Sequence, residues 1–96
     1  MTHIVYDAEK GVLKASGHAG YAETGKDIVC ASVSALTQAA AVSAQLHGGE
    51  ALCDNGEIYT RCEDPTHKEV LRVLALMLNE VAWQHPQHVK MVNGEG

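Results

Sequence analysis

From Ile28 to His47, twenty consecutive residues carry no Asp, Glu, Lys or Arg. The run is rich in Ala, Val and Leu, holds no Gly or Pro, and is followed by Gly48-Gly49, a strong helix stop. Asp27, just before it, is a good N-cap, because its carboxylate can accept an orphan backbone N–H of the first turn. The segment therefore predicts a helix from about Asp27 to His47. A solvent-facing helix normally shows a charged face, and this one has none. Four Ser or Thr hydroxyls and two Gln inside it argue against a membrane span. The remaining reading is a helix covered on most sides by a sheet, a second helix and a partner subunit.

The rest of the chain supplies that cover. Residues 2–6 read as a strand, 7–11 as a turn and 12–18 as a second strand. In the second strand Lys14, Ser16 and His18 alternate with Leu13, Ala15 and Gly17, the period of two expected of a sheet. Residues 51–54 and 57–63 read as a hairpin around Asp54-Asn55-Gly56, since Asn-Gly favours a tight two-residue turn. That register sets 54 against 57, 53 against 58 and 62 against 49, so Cys53 and Cys62 are not cross-strand neighbours and no disulfide is expected between them. Asp64-Pro65 opens a second helix, with Asp as N-cap and Pro at the first position; Thr66-x-x-Glu69 is a rival start. Val70, Leu71, Val73, Leu74, Leu76, Met77, Leu78 and Val81 give it a wide apolar face, and it ends before Pro86. Residues 89–92 form a last strand. The order ββαββαβ predicts an α+β fold, residues 1–96 as a single domain with two helices on a mixed or antiparallel sheet.

Composition narrows the function. A net charge of −5, with no two Lys or Arg adjacent, offers no footprint for phosphates, so no direct nucleic-acid binding is expected. A basic protein partner suits that charge. The start Met1-Thr2-His3-Ile4-Val5 has no signal-peptide pattern. Together with three cysteines lacking any C-x-x-C pair, it leads us to expect a cytoplasmic protein with reduced thiols. The three Cys and six His have no zinc spacing, and neither metal nor cofactor is expected.

One segment concentrates the chemistry. His18 closes a strand, a loop with Gly20 and Gly25 follows, and Cys30 falls in the first turn of the uncharged helix. The positive end of the helix dipole favours an anionic sulfur. A nearby imidazole can take its proton. The orphan N–H groups of the first turn can hold an oxyanion. The bland alternative is a small buried Cys and a surface His. Asp27 either orients His18 or caps the helix. Ser34, one turn after Cys30, either bonds the thiol or imidazole, or bonds back to a helix carbonyl. Gly17, Ala19, Gly20, Tyr21 and Gly25 belong to the candidate substrate loop. That loop has no large aliphatic anchor and is expected to close over bound substrate. Cys53 and Cys62 read as inert thiols.

Gly17, His18, Ala19, Gly25, Asp27, Ile28, Val29, Cys30, Ala31, Val33 and Ser34 together resemble the signature of the ribosomal-processing cysteine proteases, the Prp family: G-H-A…G-x-D-I-V-C-A-x-V-S. Ser32 stands where a smaller residue is usual. The resemblance extends over the whole chain. It implies Cys30 as nucleophile and His18 as base of a homodimeric, cytoplasmic bacterial endopeptidase. Such an enzyme removes a short N-terminal extension from the precursor of the twenty-seventh large-subunit ribosomal protein, cutting after an aromatic residue. The rival functions are a non-catalytic, dimeric ribosome-associated module and a thiol hydrolase acting on a small ester.

Overall fold

In the computed structural model, residues 1–17, 28–54 and 56–93 are described. The order is β1 (Thr2–Asp7), β2 (Val12–Ser16), α1 (Ile28–Leu46), β3 (Glu50–Asp54), β4 (Glu57–Arg61), α2 (Pro65–Gln84) and β5 (Val89–Asn93). The five strands form one sheet in the order β3-β4-β2-β1-β5. It is mixed: β5 runs parallel to β1, and the other pairings are antiparallel. The parallel pair is possible because α2 carries the chain back across the sheet before β5 begins.

Side-chain parity decides which face is covered. One row across the sheet runs Cys53, Ile58, Ala15, Ile4, Met91. Ile58, Ala15 and Ile4 are buried, and the helices lie on this side. The row one residue over, Leu52, Tyr59, Lys14, Val5 and Val92, points to the opposite face; Leu52, Val5 and Val92 are exposed there.

The helix α1 buries Val29, Val33, Thr37, Ala40 and Ala44, a stripe at helical spacing against the sheet and α2. Thr37 satisfies its buried hydroxyl by donating to the Val33 carbonyl at 2.9 Å. The outer side of α1 stays open, with Leu46 77% and Val42 55% exposed. A single chain thus leaves the uncharged helix partly uncovered. Asp64 caps α2 as its sequence predicts, its carboxylate accepting from the Thr66 and His67 N–H groups at 2.8 and 3.3 Å, with Pro65 as the first helical residue. The buried stripe of α2 is narrower than its apolar pattern suggests: Leu71, Ala75 and Leu78 are buried, but Val70, Val73, Leu76 and Met77 are exposed. That stripe, flanked by the partly buried Leu74, Val81 and Ala82, meets α1 and the sheet, so Val70, Val73, Leu76 and Met77 are left facing outward.

His67 heads that stripe and is fully buried. Its Nδ1 lies 2.9 Å from Ser43 Oγ on α1, and its ring centroid is 6.3 Å from that of His47. His47 closes the joint by placing Nδ1 2.7 Å from the Ser43 carbonyl oxygen. This polar contact ties the end of α1 to the start of α2.

Candidate active site

The chain enters α1 at Ile28, and Cys30 is its third residue. Val29 and Val33 are buried on either side, which fixes the helix rotation and leaves Cys30 half-buried at the edge of the core. Ser34 follows one turn later on the same face. Its Oγ accepts from Gln38 Nε2 at 2.9 Å. The back-bond to a helix carbonyl is made by its neighbours: Ser32 Oγ donates to the Ile28 carbonyl at 2.8 Å, and Thr37 donates to that of Val33.

Cys30 borders a cavity of about 400 Å³ between the start of α1 and the sheet. Its apolar wall is Ala15, Val33 and Ile58; Ser34, Thr37 and Gln38 supply hydroxyls and an amide from the helix side. The end of the β3–β4 hairpin, with Cys53, Asp54 and Glu57, borders the cavity as well. Cavities of roughly 300–1,000 Å³ commonly take small ligands or single large side chains. Among the described residues no group of three His, Cys, Asp or Glu is placed to hold a metal ion.

The candidate residues divide as follows. Cys30, Ser34 and Gly17 line the same cavity. Gly17 follows the end of β2 with φ of 87°, and a Cβ there would crowd the Met1 carbonyl, so the backbone itself demands glycine. The described strand ends at Ser16 and the chain bends at Gly17; the expected strand end at His18 lies outside the described residues. His18, Ala19, Gly20, Tyr21, Gly25 and Asp27 lie outside the described residues, as does the expectation that their loop closes over substrate. Sequence reasoning left Cys53, Asp54 and Glu57 out of the site. The signal was in the hairpin register, which sets Cys53 opposite Ile58 and so turns both toward the helices.

The family model of cysteine protease Prp matches residues 1–90. The chain belongs to this family. As a Prp family member it is a cysteine protease, and a cysteine in the first turn of a helix, open to a cavity, suits that chemistry. Solved structures share the fold. The S. aureus ribosomal processing protease Prp, in complex with a covalently linked product peptide, matches with a TM-score of 0.85 and 18% identity, over 98% of this chain and 100% of that one. The same S. aureus protease in complex with a substrate peptide gives 0.77 and 20%, over 98% and 100%. The SMU.848 protein of Streptococcus mutans gives 0.71 and 20%, over 96% and 90%. No curated protein matches the chain.

Proposed function

We infer that this chain is a cytoplasmic ribosomal-processing endopeptidase, which removes a short N-terminal extension from a large-subunit ribosomal protein by cutting after an aromatic residue. The observation that carries this reading is Cys30 in the first turn of α1, bordering a cavity with an apolar wall. Membership of the Prp family and the peptide complexes of the S. aureus protease of the same fold support it.

Cys30 Sγ is the nucleophile and His18 the base. The thiolate attacks the scissile carbonyl carbon while His18 holds the thiol proton. Charge develops on the carbonyl oxygen, and the orphan N–H groups at the start of α1 are suited to bind it. His18 then gives its proton to the leaving amine, which departs with the C-terminal product. Water, deprotonated by His18, releases the N-terminal product from Cys30. The Ser34 hydroxyl faces the same cavity and orients the thiol or the imidazole; Asp27 caps α1 or steadies His18. The net charge of −5 suits the basic chain of a ribosomal protein.

The working unit in this reading is a homodimer. Val42 and Leu46 on α1, with Val73, Leu76 and Met77 on α2, expose apolar surface that one chain does not cover. Light scattering at micromolar concentration tests the dimer, and a monomer mass contradicts it. The enzyme assignment is tested by incubating the full chain with a peptide spanning the extension junction. Cleavage after the aromatic residue supports it; an intact peptide, or cleavage elsewhere, contradicts it.

A further inference from the structure

Two thiols border the cavity. Cys30 approaches it from the first turn of α1 and Cys53 from β3, where pairing with buried Ile58 turns its side chain to the helix side. Cys53 is exposed, and all three cysteines are in the thiol form. Cys62 sits at the far end of the hairpin, where its Sγ donates to the His47 carbonyl at 3.5 Å, and it takes no part in the cavity. The strand carrying Cys53 is the edge of the sheet, paired on one side by β4 alone, so its tip is held by fewer hydrogen bonds than an interior strand.

We propose that Cys53 is a resolving cysteine that converts oxidised Cys30 into a reversible Cys30–Cys53 disulfide. The oxidant is a peroxide. Cys30 Sγ attacks one peroxide oxygen, the O–O bond breaks, and the sulfur becomes a sulfenic acid as two electrons pass to the oxidant; with hydrogen peroxide, one water leaves after protonation. Cys53 Sγ then attacks the sulfenic sulfur. The S–S bond forms, hydroxide leaves, and the proton lost by Cys53 completes a second water. A dithiol reverses the bond by exchange. A disulfide needs Cα atoms within about 7 Å, so bond formation holds the end of β3 and the first turn of α1 at that separation across the cavity. The device masks the nucleophile and halts oxidation before the irreversible sulfinic acid. It rests on Cys30 being the reactive thiol of the proposed protease, but its readout is a bond and needs no proteolysis.

The test treats the full-length reduced protein with hydrogen peroxide, blocks remaining thiols by alkylation and maps the peptides by mass. Before alkylation the expected product is lower in mass by about 2 Da; it carries a Cys30–Cys53 cross-linked peptide and returns to two thiols with dithiothreitol. In Cys53→Ser that peptide is absent, and Cys30 proceeds to a form about 32 Da heavier that dithiothreitol does not restore. Cys62→Ser keeps the cross-link. Wild-type Cys30 that oxidises while Cys53 stays alkylatable, a link through Cys62, or thiols that both survive excess peroxide overturns the proposal. Peptide cleavage with no cross-link leaves the protease reading standing without the resolving cysteine; a cross-link with no peptide cleavage does the reverse.

Discussion

Lowering the pH from 7.5 to 5.5 should weaken this fold through one residue, His67. The imidazole is fully buried, Nδ1 meets Ser43 Oγ, and Nε2 has no hydrogen-bond partner among the described residues. Burial pushes its pKa below the ordinary 6.5, and the neighbouring His47 pushes the same way; Asp64 opposes them in part. The unfolded chain therefore takes up a proton at this position before the folded one does. Stability linked to His67 is fully present above pH 6.5 and is lost as the pH falls below it, until the folded residue also protonates. The loss over this interval is bounded at about 1.4 kcal/mol, the limit in which the folded residue takes up no proton. In a domain of this size each kcal/mol moves Tm by about 4–8 °C, so a fall of a few degrees is expected. Asp64 and Glu69 also have lowered pKa values, the first from backbone N–H groups of Thr66 and His67 and the second from Arg72. Their contribution is lost as the pH falls through the ordinary carboxylate range and below it, and leaves this window clean. The control is His67→Leu, which keeps an apolar group of similar size and removes the titration; the Ser43 hydroxyl can turn to its own helix as Thr37 does. Thermal melts of both proteins across pH 5.5–7.5 should show a steeper fall in wild type, with the curves converging or crossing at the acid end. Parallel curves would refute the reasoning.

Three further outcomes follow from the structure. Ser43→Ala should destabilise by about 1–3 kcal/mol in urea titrations at pH 7.5, because it leaves the buried His67 Nδ1 unpaired. Asp64→Ala should lose about 1 kcal/mol by the same measurement, as the Thr66 and His67 N–H groups lose their cap. Gly11→Ala should lose about 1–3 kcal/mol in thermal melts, since Gly11 has φ of 65° and an added Cβ would collide with the Cys62 carbonyl oxygen.

Local chemistry made most of the fold legible. Asp64-Pro65 marked the start of α2, Asn55-Gly56 set the hairpin register, and the alternation of Leu13 and Ala15 with Lys14 and Ser16 placed the inner face of β2. What local pattern did not convey was partnership between distant elements. The parallel pairing of β5 with β1 depends on a crossover, and nothing within residues 89–92 specifies it. On α2 every apolar residue looks alike, yet only the stripe of His67, Leu71, Ala75 and Leu78 is fully buried, with Leu74, Val81 and Ala82 partly buried beside it. Its first member is a histidine, which composition assigns to the surface; the spacing i, i+4, i+8, i+11 was the available signal. The site was half legible. Cys30 and Ser34 stand out from helix spacing, but the part of the wall made by Cys53, Asp54 and Glu57 becomes visible only when the hairpin is laid against α1.

The most direct test of the account is the rate of junction-peptide cleavage by wild type, Cys30→Ser and His18→Ala, with circular dichroism as the check on folding. Cys30 is half-buried at the start of a helix, and Ser removes no volume large enough to leave a cavity. Both variants should fold, with cleavage at background for Cys30→Ser and kcat reduced by about 10²–10⁴ for His18→Ala. Near-wild-type turnover by a folded Cys30→Ser protein would contradict the assignment of Cys30 as nucleophile.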